Sequence, residues 1–226
     1  MLFAPSTRPD ARPLKARIAD ELRERIALGL LPMGARVSDK DLASQLRVSR
    51  TPVREALLQL VSERLVVMRP QRGTFVFDPG AQELRELCEL RGVLEAGAAR
   101  ILAVRGGRAA ASFLADIAAL AARALARRDY AECERLDTQF HEALVAGCEN
   151  ALLAEGYRAL ADRVRALRQR LPASPKRIAN GIAEHAAIAR ALARGDGEAA
   201  ARLIEGHVDN VRRLLSAPGG RGRASA

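Results

Sequence analysis

Tryptophan is missing from this 226-residue chain, and aromatic residues reach only 3%. Readers of single-stranded RNA or DNA stack bases on aromatic faces, so that class is disfavoured. Cysteine is nearly as scarce. Cys88, Cys133 and Cys148 are odd in number and scattered, which excludes a disulfide framework and a Cys-x-x-Cys metal knuckle. No apolar run approaches the ~18 to 20 residues a membrane span needs. The first residues lack the apolar core of a signal peptide, so the expectation is a cytoplasmic protein without a membrane partner. Lysine is rare too: only Lys15, Lys40 and Lys176 stand among the 37 basic residues, the rest being arginine.

What is present is a net charge of +10 on a chain that is 49% hydrophobic and 28% charged. That balance suits a folded protein rather than a disordered one. A basic surface without stacking residues points to duplex DNA, whose phosphates need only cationic side chains and oriented N–H groups. A GC-rich coding bias toward Arg and Ala is the bland alternative, so charge alone does not decide.

The pattern changes character once, near Asp78-Pro79-Gly80. Residues 1–11 read as a flexible arm and 216–226 as a disordered basic tail. Over 12–78, Leu14, Ile18, Leu22 and Ile26 recur at helical spacing and Gly29 stands where a helix would end. Ser38-Asp39-Lys40-Asp41 resembles a capping box that opens a short helix. Ser49 is placed to cap a third helix, whose inner face is Val53, Ala56, Leu57 and Leu60. Two β-rich runs, Leu65–Met68 and Thr74–Phe77, flank a basic hairpin tip. Over 82–215 there is no strand signal. Six amphipathic segments, at roughly 82–104, 109–127, 130–147, 150–171, 175–193 and 197–215, predict an all-α six-helix bundle in which sequential helices pack antiparallel.

Helix, short helix, tight turn, longer helix and hairpin form a winged helix-turn-helix. A recognition helix opening at Ser49 directs its first N–H groups toward phosphate and its early side chains toward base edges. Arg50 and Arg54 lie on its exposed face, where a guanidinium can bond bidentately to guanine. Ser49, Thr51 and Lys40 suit phosphate contacts, and Arg72 beside Gly73 suits a wing that enters a minor groove or clamps the backbone.

The only histidines, His141, His185 and His207, all follow residue 80, each on the apolar side of its helix. Asp137 stands one turn before His141, so the two project to one side, and the other imidazoles can converge from two further helices. A carboxylate with three imidazoles suits a divalent metal, Zn²⁺ first and Ni²⁺ or Mn²⁺ next, with coordination positions open. A set of satisfied core histidines is the competing reading. Arg91 also faces inward; it either pairs with Glu95 at i+4 or takes the carboxylate of a small acid. Cys88 and Cys133 fit the lining of such a pocket or plain core packing.

The stretch Val48-Ser49-Arg50-Thr51-Pro52-Val53-Arg54-Glu55-Ala56-Leu57 resembles the signature of GntR-family bacterial transcriptional regulators. The likeness runs back to Gly34 and Asp41-Leu42-Ala43 and forward to Arg72-Gly73-Thr74-Phe75-Val76. Arg47 and Arg64 stand where the family usually has glycine, at helix ends where left-handed backbone is common. Asp137-x-x-Phe140-His141, Asn150, Glu184-His185-x-x-Ile188-x-x-Ala191-Leu192, His207 and Leu90-Arg91-x-x-Leu94-Glu95-Ala96 resemble the FCD subgroup, with six helices matching its VanR-like branch. The resemblance implies a homodimeric repressor on a palindromic duplex operator. It also implies a metal held by Asp137, His141, His185 and His207, and a small carboxylate effector met by Arg91. A DNA-binding protein with a purely structural metal is the alternative. A metalloenzyme is the weaker one, since Glu142 and Glu184 point away from the neighbouring histidines and the winged helix would be unexplained.

Overall fold

The computed structural model describes residues 12–171 and 174–216. The expected arm over 1–11, and the tail beyond residue 216, lie outside them. The chain divides into two compact units at Asp78 and Pro79.

In the first unit, α1 (Leu14–Ala27), α2 (Asp39–Leu46) and α3 (Arg50–Ser62) pack with a three-stranded antiparallel sheet, β1 (Arg36–Val37), β2 (Val66–Arg69) and β3 (Gly73–Val76), in the order β1-β3-β2. The hairpin was legible; β1 was not. It adds a third strand through the pairs Arg36–Phe75 and Val37–Thr74. Ile18, Leu22 and Ile26 bury against this core together with Val53, Ala56, Leu57 and Leu60. Leu14 opens α1 and stays 44% exposed, so the apolar stripe begins one turn later than its spacing implies.

The helix ends follow local chemistry. Ser38 caps α2, its side chain accepting from the Asp41 N–H at 3.2 Å. Ser49 occupies the corresponding position before α3, yet its hydroxyl makes no capping bond. One of the two donors a cap normally meets belongs to the third helical residue, and here that residue is Pro52, which has no N–H. Arg47 (φ 54°) and Arg64 (φ 57°) both adopt the left-handed conformation that the resemblance implied by placing glycine there. Gly73 has φ +107°, and a Cβ there would stand 3.2 Å from Arg36 Nε, so the wing requires glycine at that point.

The second unit comprises α4 (Ala81–Val104), α5 (Arg108–Ala126), α6 (Tyr130–Gly147), α7 (Ala151–Arg168), α8 (Pro175–Ala193) and α9 (Gly197–Ser216). Ser216 therefore closes the last helix rather than opening a tail. Neighbours in sequence pack as α5–α6, α6–α7 and α8–α9, but the most extensive interfaces, α4–α9 and α5–α8, join helices distant in the chain. Sequential packing is thus only part of the bundle. Arg105, just past α4, donates to the carbonyls of Cys148 (2.7 Å) and Glu149 (3.0 Å) and ties the ends of α4 and α6 together.

Against the expectation that no apolar run reaches that length, α5 alone among the described residues is long and apolar enough to cross a membrane. Its apolarity comes largely from alanine. Ala111, Leu114, Ile117, Ala118, Ala121 and Ala124 are buried, and the helix packs on α6 and α8, as a core helix of a bundle does.

Candidate nucleic-acid interface and metal centre

In the first unit, Ser49, Arg50, Thr51 and Arg54 are all exposed on the first turns of α3, and Lys40 is exposed on α2. Arg72 is exposed at the tip of the β2–β3 hairpin, beside Gly73. Two of these residues are brought together by a third that sequence reasoning passed over. Asp39, the first residue of α2, accepts from Arg50 on both carboxylate oxygens (3.0 Å each) and from Arg54 Nε at 2.6 Å. The bond from Arg54 is the chief reason the Asp39 carboxyl is held below the usual carboxylate range, with Arg50 adding to it against some desolvation. Charge at a helix N-terminus was the only hint the sequence offered, and it reads equally well as a dipole contact.

The second unit gathers Asp137 and His141 from α6, His185 from α8 and His207 from α9, with one potential ligand atom from each lying within 4.8 Å of the others. The three imidazoles are 1%, 2% and 5% exposed, in that order. Their centroids stand 4.9 to 5.1 Å apart.

Each ring is held by a neighbour. His141 Nδ1 lies 2.9 Å from Glu95 Oε2, while its Nε2 lies 2.8 Å from an Arg91 terminal nitrogen. A carboxylate only accepts and a guanidinium only donates, so His141 is neutral with its proton on Nδ1. Burial, reinforced by the charge of Arg91, keeps its pKa well below the ordinary histidine range. His207 Nδ1 meets Glu184 Oε2 at 2.6 Å, and the other oxygen of Glu184 accepts from Asn210 at 2.7 Å. That leaves Nε2 of His207 as its nitrogen toward the cluster. Burial pushes His185 down to about 3 despite the opposing charge of Asp137.

Asp137 keeps its charge. Desolvation works against ionisation, but Arg168, 2.7 Å away, overcomes it and holds the carboxyl below the usual range. Arg168 donates also to Thr138 at 3.2 Å. Oδ1 of Asp137 lies 3.6 Å from His185 Nε2, too far for a hydrogen bond, and that Nε2 is a buried nitrogen without a partner. Such a group is costly unless something unseen satisfies it. Three convergent imidazoles, one carboxylate and one orphaned ring nitrogen suit a divalent cation of borderline softness.

Arg91 is 1% exposed, with Nε 2.7 Å from Glu95 Oε1. Of its two readings, the ion pair is the contact present, and it extends to His141. Sequence reasoning also missed Glu95 and Glu184 as the groups that orient His141 and His207. Both were visible only as acids near Arg91 and His185 in sequence, and Glu184 serves a histidine on another helix. Glu142 is exposed, away from the cluster.

Residues 14–76 match the family described as bacterial regulatory proteins, gntR family, and residues 86–210 match the FCD domain. The chain belongs to the GntR family and carries an FCD domain. This GntR regulator is 31% identical to the probable D-xylose utilization operon transcriptional repressor of Paenarthrobacter nicotinovorans, over 91% of this chain and 90% of that protein. It is 29% identical to the transcriptional repressor RspR of Escherichia coli K12, over 88% of each. A solved GntR regulator from Rhodococcus sp. RHA1 superposes with a TM-score of 0.76 at 29% identity, over 90% of this chain and 98% of that one. As a GntR/FCD protein the chain is a DNA-binding transcriptional regulator and not an enzyme.

Proposed function

We propose that this regulator is a cytoplasmic homodimeric repressor of the VanR-like branch, with each recognition helix engaging half of a palindromic operator. A small organic acid, bound at a divalent metal in the helical unit, sets the occupancy of that operator. The observation that carries the sensing part is the buried, unpartnered His185 Nε2 among three convergent imidazoles and Asp137. Two of the curated relatives are named as repressors, which supports the direction of regulation.

Asp137, His141, His185 and His207 would hold the ion, Zn²⁺ before Ni²⁺ or Mn²⁺. A bound ion supplies a Lewis acid able to take a carboxylate oxygen. Glu95 and Glu184 orient the rings of His141 and His207 and raise their basicity. Arg91 holds Glu95 through Nε and His141 through a terminal nitrogen, and that terminal nitrogen would be the donor available to a carboxylate if His141 held an ion. On α3, Arg54 and Arg50 read base edges. Ser49, whose hydroxyl makes no capping bond, contacts phosphate with Thr51 and Lys40, and Arg72 and Gly73 of the wing add a groove or backbone contact. The acid changes duplex affinity only by its differential affinity for two arrangements of the dimer.

A second reading, a structural metal without an effector, is favoured by the closed Arg91–Glu95 pair. Reciprocal variants test the proposal. Arg54→Ala loses specific duplex binding and keeps its metal; His185→Ala loses metal and acid response and keeps duplex binding. Unchanged metal content and acid response in His185→Ala would overturn the sensing reading.

A further inference from the structure

Asp39 is an oddity for a surface that meets phosphates. It places a carboxylate between the two arginines that face DNA, where it repels the duplex at close range. Its hydrogen bonds show what it provides in return. Arg54 is held through Nε, and its two terminal nitrogens have no protein partner among the described residues. Arg50 is held differently, by one terminal nitrogen shared between both carboxylate oxygens. The side chains of Arg54 and Arg50 are 64% and 54% exposed, whereas that of Asp39 is only 22% exposed. The clasp therefore lies behind the arginines and leaves their outer ends in solvent.

We infer that Asp39 is a specificity-determining positioning residue: it grips Arg54 by Nε so that the terminal N–H pair is presented end-on for a bidentate contact with guanine. The same grip occupies a terminal nitrogen of Arg50 and leaves that side chain fewer free donors. Arg54 is then the base reader, and Arg50 gives single contacts to a base or phosphate. The inference rests on the duplex-reading role proposed for Arg50 and Arg54.

Two physical consequences follow. Fixing a long side chain before binding removes ordering entropy that a free arginine would lose on the duplex. A carboxylate at the interface also weakens contact with any phosphate, whatever the sequence, so non-specific binding is penalised more than the correct site. Asp39 thus trades affinity for discrimination.

The test uses the full chain and two duplexes: the sequence that the wild-type chain enriches from a random pool, and a scrambled duplex of equal composition. Fluorescence polarisation gives the ratio of the two Kd values for wild type, Asp39→Ala, Asp39→Asn and Asp39→Glu. Asp39→Ala is expected to bind the scrambled duplex about 2- to 5-fold more tightly, by loss of phosphate repulsion. Its scrambled-to-enriched ratio is expected to fall by about tenfold, the scale of one bidentate contact. Asp39→Glu recovers most of that ratio. Asp39→Asn, which preserves shape at the start of α2, loses discrimination too and serves if the alanine variant unfolds. A ratio equal to wild type in the alanine and asparagine variants, or equal weakening on both duplexes, would overturn the inference. Arg54→Ala is measured alongside: if it keeps the wild-type ratio, the reading role of Arg54 fails independently of Asp39.

Discussion

Phe140 lies flat on His185, with ring centroids 4.1 Å apart and planes within 2° of parallel. His185 is the one imidazole of the cluster without a carboxylate on its second nitrogen, so the phenyl ring stands in for the hydrogen bond that orients the other two. A ring fixed by packing presents Nε2 in one direction, which a metal ligand requires.

Phe140→Leu should therefore weaken metal binding without abolishing it. The expected loss is about 10-fold in affinity, at the lower end for orienting partners of metal ligands. Competition against a chelating dye checks this, with stoichiometry staying at one ion per chain.

The buried imidazoles predict how metal-free protein responds to acid. His185 and His141 titrate below the ordinary histidine range when folded and near 6.5 when unfolded. The unfolded chain then binds protons that the folded chain refuses, so stability is full above about pH 6.5 and falls as pH drops toward the folded value. Between pH 6.5 and 5 the chelator-treated protein should lose roughly 1 to 1.4 kcal/mol per pH unit for each such histidine. Urea unfolding at stepped pH reads this directly, and His185→Gln should make the slope shallower.

Glu95 neutralises Arg91 and orients His141 at once. Glu95→Ala leaves a guanidinium buried without its counter-charge, a change on the order of 3–5 kcal/mol. The helical unit should lose cooperative unfolding or melt far earlier, as circular dichroism would show.

Arg64 carries a left-handed backbone that glycine adopts without strain. Arg64→Gly should raise the stability of the DNA-reading unit by roughly 0.5–1 kcal/mol, whereas Arg64→Ala should not. Denaturant titration of both variants separates relief of strain from loss of the side chain.

These expectations show which parts of the molecule could be read from residue order alone. The helices announced themselves because long amphipathic periods repeat one message many times; α6, α8 and the bounds of α4 fall within a residue or so of the expected ones. Arg47 and Arg64 gave away their backbone because the family resemblance placed glycine at both positions. The strand Arg36–Val37 is two residues long and gains its meaning only from β3 alongside it, so no period could reveal it. Ser49 looked like a cap because the serine was visible; the missing donor at Pro52 was equally visible but needed helix geometry to matter. The four residues that could hold a metal were legible because histidine is rare here and each lies on an apolar face. Glu95, Glu184 and Asp39 were not, because an acid on a helix normally pairs locally or faces water, and their partners come from other helices.

Duplex binding, as proposed, answers to a small acid through Asp137, His141, His185 and His207. The most direct test is the Kd for the enriched duplex, measured across a panel of mono- and dicarboxylates with metal-loaded wild type, chelator-stripped wild type and His185→Ala. At least one acid should change the Kd of the loaded protein by about 5- to 150-fold, the usual range of coupling between sites. The change should vanish in the stripped protein and in His185→Ala, while their acid-free Kd stays near the wild-type value. An acid response of equal size in all three would contradict the account.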